Sequence, residues 1–201
     1  MKNITHWIKY QFKWQTKSVF SWTAILGAIS IFIGWAYKPF SESGYFEMLN
    51  QLPAYMKKSF MGEAGGQLTA SLDSFLSLEY FSWMLLMFAF YVFIVGTAAI
   101  SKEIEEGTYD PLSSKPFSRN AFYWGKHIVF TINAIILVAV NFLCLYLGLQ
   151  IAGAGLEILT WIKLFALTAC AVYAFLALSF FLSSIFNSAG MSMKAAIALG
   201  I

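Results

Sequence analysis

The residues with the most chemistry in them are gathered in one place. Between Ser101 and His127 the chain reads SKEIEEGTYDPLSSKPFSRNAFYWGKH, which holds Glu103, Glu105, Glu106, Asp110, three lysines and the only arginine, Arg119. Charge at this density must lie in water, where it forms ion pairs and meets a partner or a lipid headgroup. It does not form a catalytic centre. His6 and His127 are the only histidines, and neither has a serine, carboxylate or second histidine at the spacing that nucleophilic or metal chemistry needs. No G-x-x-x-x-G-K-[ST] loop is present to cradle nucleotide phosphates. Cys144 and Cys170 both fall in apolar runs, so they read as membrane-buried thiols packed as small residues, with no disulfide framework or metal-ligand spacing.

The elements that hold this stretch follow from composition. Of 201 residues 59% are hydrophobic, 18% aromatic and 11% charged, against about 25% charged in a soluble domain. The chain is therefore an integral membrane protein, and its net charge of +3 is too small to imply nucleic acid as a partner. Four uncharged runs, Val19–Tyr37, Tyr80–Ile100, Ile128–Ala152 and Leu164–Ile185, each approach the roughly 20 residues that cross a bilayer as a helix. The expected fold is all-α and polytopic: an N-terminal interfacial amphipathic helix, four transmembrane helices and the start of a fifth, in one transmembrane domain over 1–201.

The interfacial helix is assigned to residues 2–17. At 100° per residue Lys9, Lys13 and Lys17 stack on one side with Lys2 close by, while Ile4, Trp7, Ile8, Phe12 and Trp14 share the other. A lysine-rich tail that only sets topology is the plainer alternative. The stretch lacks the cleavage pattern of a signal peptide. Residues 38–79 form an external loop in which Phe46, Leu49, Leu52, Met56 and Phe60 recur at helical spacing around Pro53; a structural cap over the helix ends is favoured there over a substrate gate. Beyond the fourth run a polar turn leads to Ala195–Ile201, read as the start of a fifth span, with a fragment of a longer protein favoured over a truncated gene product.

Orientation follows from the cations. With the N-terminus inside, nine lysine and arginine residues flank the cytoplasmic ends and four (Lys38, Lys57, Lys58 and Lys163) the outer ends, which favours a cytosolic 101–127 segment. The four runs carry no ionisable side chain except tyrosine and cysteine, which argues against an ion-coupled carrier. Asn133, Asn141 and Gln150 are expected to bond between helices, and Ala166, Cys170 and Ala174, with Ala169 and Ala177 beside them, to mark a helix-packing face.

Within the polar stretch, the second span should continue through Lys102, Glu103, Glu105 and Glu106, with Lys102 pairing to Glu106 at i, i+4, and stop at Gly107. Pro111 and Pro116 forbid a continuous helix, and Ser118 is placed to cap a new one. The expectation is a short stiff bend with an acidic arm, a proline-braced corner and a basic arm; a solvated re-entry turn with interfacial aromatics is the equal alternative on composition alone.

The order E-x-x-x-G-T-x-x-x-L-x-S-x-P-x-S-R followed by G-K, carried by Glu103, Gly107, Thr108, Leu112, Ser114, Pro116, Ser118, Arg119, Gly125 and Lys126, resembles the cytoplasmic connector of type-2 ATP-binding-cassette transporter permeases. The lysine-rich opening helix and the long external loop also look like that family. The resemblance implies six spans and a homo- or heterodimer of permease subunits in the plasma membrane lipid. It further implies a separate cytosolic ATPase subunit that binds ATP and Mg and docks on this connector, while this chain holds no cofactor or metal and is not itself an enzyme. Glu103, Glu106, Gly107, Thr108, Leu112, Pro116, Ser118, Arg119 and Lys126 are then the expected coupling residues, and export the expected activity. Pro111 departs from the usual run after the Gly-Thr pair. A membrane scaffold or immunity-type protein without transport is the competing reading.

Overall fold

The computed structural model describes residues 2–53, 55–56, 71–108 and 119–198. Helix α1 is Lys2–Glu42 and α2 is Tyr45–Asn50. Helix α3, Leu72–Phe75, leads through a π-helical segment, Leu76–Phe81, into α4, Ser82–Thr97. The short α5 is Ser101–Glu105, α6 is Arg119–Ile151, α7 is Ile158–Ile185 and α8 is Ala189–Ala198. Four helical stretches are long and apolar enough to cross a membrane: Gln11–Glu42, Leu72–Glu105, Phe122–Ile151 and Ile158–Ile185. The all-α polytopic class is thus observed, with no strand among the described residues.

The helices overrun the apolar runs that announce them. Residues 2–42 form one continuous helix of 41 residues, about 60 Å at 1.5 Å per residue, where the sequence divides an interfacial piece from a span. Lys9, Lys13 and Lys17 are exposed, and the buried side is Gln11, Gln15 and Val19, one face at i, i+4 spacing. At the far end α2 ends before Pro53, and Tyr45 donates a hydrogen bond to Glu79. Burial and that bond push the Tyr45 phenol up to about 12, so it remains a donor. Much of the remaining loop, including Lys57, Lys58 and Phe60, lies outside the described residues.

The bundle is built from two helix pairs. Helix α1 packs chiefly on α6, through a seam that leaves no room for a side chain at Gly34 and Gly148. A Cβ on Gly148 would stand 2.3 Å from the Ile31 carbonyl oxygen, and one on Gly34 2.8 Å from the Leu145 oxygen. Glycine there permits the close backbone approach on which helices in lipid depend. Asn133 Nδ2 donates to Gln15 Oε1 at 2.6 Å, and Ser30 Oγ to Asn141 Oδ1 at 3.2 Å, so both asparagines bond between helices as expected. Gln150 is exposed.

Helix α4 packs chiefly on α7. Gly96 faces Ser179, whose Oγ lies 2.0 Å from where a Cβ on Gly96 would be. The buried side of α7 is Val172, Leu176, Ser179, Phe180 and Ser183. Ala166, Cys170 and Ala174, the expected packing stripe, face away from the rest of this chain, and α7 turns its serine-bearing side inward, where hydroxyls meet backbone. Cys170 lies on the outward side of α7 within the fourth span, while Cys144 sits half-buried against Gly27. Contacts between the pairs are largely aromatic, such as Phe130 with Phe180 (5.1 Å between centroids), Phe142 with Trp161 (5.7 Å) and Tyr80 with Phe142 (6.3 Å).

Candidate functional site, the acidic turn between the second and third spans

The second span does not run straight into its polar extension. Residues 98–100 form a turn, after which α5 begins. A helix start leaves amide donors without intrahelical partners, and here a side chain from another helix supplies the acceptor. Ser183 Oγ, on α7, accepts from the Ile100 N–H at 2.9 Å and the Ser101 N–H at 3.1 Å, and donates to Ser101 Oγ at 3.3 Å. Ser101 Oγ in turn donates to the Thr97 carbonyl at 2.6 Å. Ser101 and Ser183 are both fully buried.

The end of α5 is closed by glycine. Gly107 has φ +67°, its N–H bonds to the Ile104 oxygen at 3.1 Å, and the Thr108 N–H reaches back to the Glu103 oxygen at 3.0 Å. This paired 6→1 and 5→2 arrangement is the Schellman closure that a left-handed glycine allows. The stop at Gly107 and the Lys102–Glu106 pair, 3.7 Å apart, are where the sequence places them. Glu105 turns to the neighbouring helix, its Oε2 accepting from the Ala189 N–H at 3.0 Å. Negative charge at the start of α8 suits the helix dipole.

Lys126 closes the root of the turn from α6. Its Nζ donates to Glu103 Oε1 and to the Ala99 carbonyl, and lies 5.2 Å from the Phe122 ring centre. Lys126 is only 3% exposed, and Glu103 Oε2 is buried with no partner among the described residues. The expectation that all of Ser101–His127 lies in water is therefore corrected at both ends. Ser101 is enclosed by Ser183, Lys126 is neutralised by Glu103, and His127 is 7% exposed between Tyr123, Trp124, Tyr173 and Phe180. A buried ammonium persists where a carboxylate and a carbonyl replace its water.

The charges at the tip are hydrated. Lys102, Glu105, Glu106, Gly107 and Thr108 are all exposed. Of the expected site residues, Glu103 and Lys126 come together, and Glu106, Gly107 and Thr108 form the exposed tip. Leu112, Ser114, Pro116 and Ser118 lie outside the described residues, as does Pro111. Arg119 opens α6, but its side chain is outside what is described. Ser183 and the Glu105–Ala189 contact escaped the sequence reading. Ser179 and Ser183, four apart in an otherwise apolar run, were the signal. Among the described residues no group of three or more His, Cys, Asp or Glu gathers as metal ligands would.

The geometry is that of a mount. An exposed acidic tip is fixed by buried polar bonds to α6 and α7 and by an exposed one to α8. A family model described as ABC-2 family transporter protein matches residues 16–201. No curated protein and no solved structure matches the chain.

Proposed function

The chain belongs to the ABC-2 family of transporter proteins, and on that premise we propose that it is the permease subunit of an exporter whose acidic turn receives the stroke of a separate cytosolic ATPase. The partner ATPase binds ATP and Mg; this chain binds neither. It works in the plasma membrane beside a second permease subunit, with its N-terminus and the 101–127 segment in the cytosol. The excess of lysine and arginine at that end supports this orientation.

The observation that carries the reading is the contrast between tip and root. Glu106, Gly107 and Thr108 present hydrated backbone and charge to a partner. Directly beneath them Glu103 is bonded to buried Lys126, and Ser101 to buried Ser183. A displacement applied to a stiff mount tilts the helices it is bolted to, whereas a loose loop would absorb it. Glu103 and Lys126 brace the mount, while Glu106, Gly107, Thr108, Leu112, Pro116, Ser118 and Arg119 offer the contact surface.

The test is purification of the tagged chain from membranes with its ATPase, comparing wild type with Glu106→Lys and Arg119→Glu. Both variants should fold and lose most of the co-purifying ATPase and its ATP hydrolysis. Wild-type values for both would refute the docking role and favour a scaffold without transport. Thiol labelling of Lys102→Cys in intact cells tests the orientation, and reaction with a membrane-impermeant maleimide would overturn it.

A further inference from the structure

The acidic turn lies between two spans that belong to different helix pairs, α4 to the α4–α7 pair and α6 to the α1–α6 pair. Its polar bonds are divided unequally between them. Toward α7 and α8 it makes the two amide bonds to Ser183, the Ser183–Ser101 hydroxyl bond and the Glu105–Ala189 bond. Toward α6 it makes the bonds of the Lys126 ammonium alone. The hydroxyl of Ser183 is used completely, accepting twice and donating once, in a site closed to water. One turn earlier Ser179 fills the notch over Gly96; its hydroxyl donates to the Leu176 carbonyl of its own helix at 2.8 Å and lies 3.3 Å from the Val92 carbonyl, so close packing there adds to the Ser183 bonds in holding α7 to the second span.

From this we infer that Ser183 is the positioning residue that makes the acidic turn part of the α4–α7 body, so that the turn and the fourth span move together against the α1–α6 pair. The inference rests on the docking role proposed above and adds where the stroke goes. A push on the tip reaches α7, which is remote in sequence, as directly as it reaches α4. Lys126 ties the turn to the α1–α6 pair and is the more compliant of the two ties. Its four-carbon stem and rotatable ammonium can follow a small displacement while keeping one acceptor, whereas a serine hydroxyl shared between two amides cannot.

The experiment uses the complex with its co-purifying ATPase, in lipid nanodiscs, on a background with Cys144 and Cys170 replaced by alanine. Short-range spin-label separations are measured without nucleotide and with ATP trapped by vanadate. Labels at Lys102→Cys and Ile185→Cys, on the turn and the end of α7, should keep their separation in both states. Labels at Lys102→Cys and Ile128→Cys, the latter exposed on α6, should shift by about 2 Å or more, the size of ordinary helix shifts between states. In Ser183→Ala the first separation should become nucleotide-dependent as well, and Ser183→Thr, which keeps the hydroxyl, should restore it.

Should Ser183→Ala fail to fold, Glu105→Ala with labels at Lys102→Cys and Met191→Cys tests the exposed tie to α8 by the same criterion. A nucleotide-dependent separation between Lys102→Cys and Ile185→Cys in the otherwise wild-type protein overturns the inference and leaves the docking role standing. So does a Ser183→Ala protein that behaves as wild type. Absence of any nucleotide effect on either pair, or of any bound ATPase, removes the docking role and this inference with it.

Discussion

Replacing Lys126 by methionine removes a cation that is almost wholly enclosed and leaves two groups exposed to its loss. The Ala99 carbonyl loses its ammonium donor, and Glu103 keeps a carboxylate with neither oxygen paired among the described residues. Removing one partner of a buried ion pair costs about 3–5 kcal/mol. Because the Glu103 side chain retains 19% exposure, water recovers part of the loss, which places the expectation at the lower end, about 3 kcal/mol. That is roughly a hundredfold change in the folding equilibrium at 1.4 kcal/mol per factor of ten. Glu103→Leu should cost a similar amount, since it strands the ammonium. The double variant strands no charge and leaves only the carbonyl, so it should lose about 1 kcal/mol, far less than the sum of the two single changes. The assay is thermal unfolding of the purified protein in detergent, followed by maleimide reaction at half-buried Cys144 on a background in which exposed Cys170 is replaced by alanine. An additive double variant, or single variants within about 0.5 kcal/mol of wild type, would refute the assignment of the pair as the brace of the turn.

Two further substitutions test the backbone on which the turn depends. Gly148→Ala drives a Cβ to 2.3 Å from the Ile31 carbonyl oxygen. Helices α1 and α6 must then separate at a loss of about 1–3 kcal/mol, whereas Gly190→Ala, with nothing within 4 Å, should be neutral or gain up to about 1 kcal/mol; thermal unfolding of the two side by side decides it. Gly107→Ala meets no atom within 4 Å but must hold φ +67°, so its loss is backbone strain of about 1–2 kcal/mol. Gly107→Asn should lose less, and both should weaken ATPase co-purification in the same order as their stability.

What could be read from residues alone was what local rules govern. Four uncharged runs of spanning length, the helix stop at Gly107 and the Lys102–Glu106 pair each depend on neighbours within a few positions, and each is present. What could not be read depends on residues far apart in the chain. Lys126 counts as a hydrated lysine until Glu103, 23 residues away, is brought against it. The small-residue stripe on the fourth span does not carry the packing of α7 within this chain, since small side chains permit close approach without requiring it. Ser179 and Ser183 satisfy backbone groups of the second span, so they fix which side of α7 turns inward. The continuity of α1 past residue 17 was hidden by a change of composition that is no change of conformation. Gln11 and Gln15 carry the buried face onward from Val19, and Gln15 is bonded to Asn133.

The two kinds of helix contact in the bundle differ in the freedom they leave. Across α1–α6 and α4–α7 the approach is set by glycine against backbone or hydroxyl, at Gly34, Gly148 and Gly96. A shift there drives atoms into contacts below van der Waals distance, so each pair is stiff. Between the pairs, rings meet rings: Phe180 touches Phe130, Tyr123 and His127, and Phe142 touches Tyr80, Trp161 and Phe165. Such contacts are worth about 0.5–1.5 kcal/mol each over a range of tilts and separations, so they can slide with little loss. On the proposed docking role, a stroke delivered at Glu106 to Thr108 would meet the least resistance along the aromatic plane. The one charged bond crossing that plane at the tip's root, Lys126 to Glu103, is placed where the relative movement of the two pairs must be felt first.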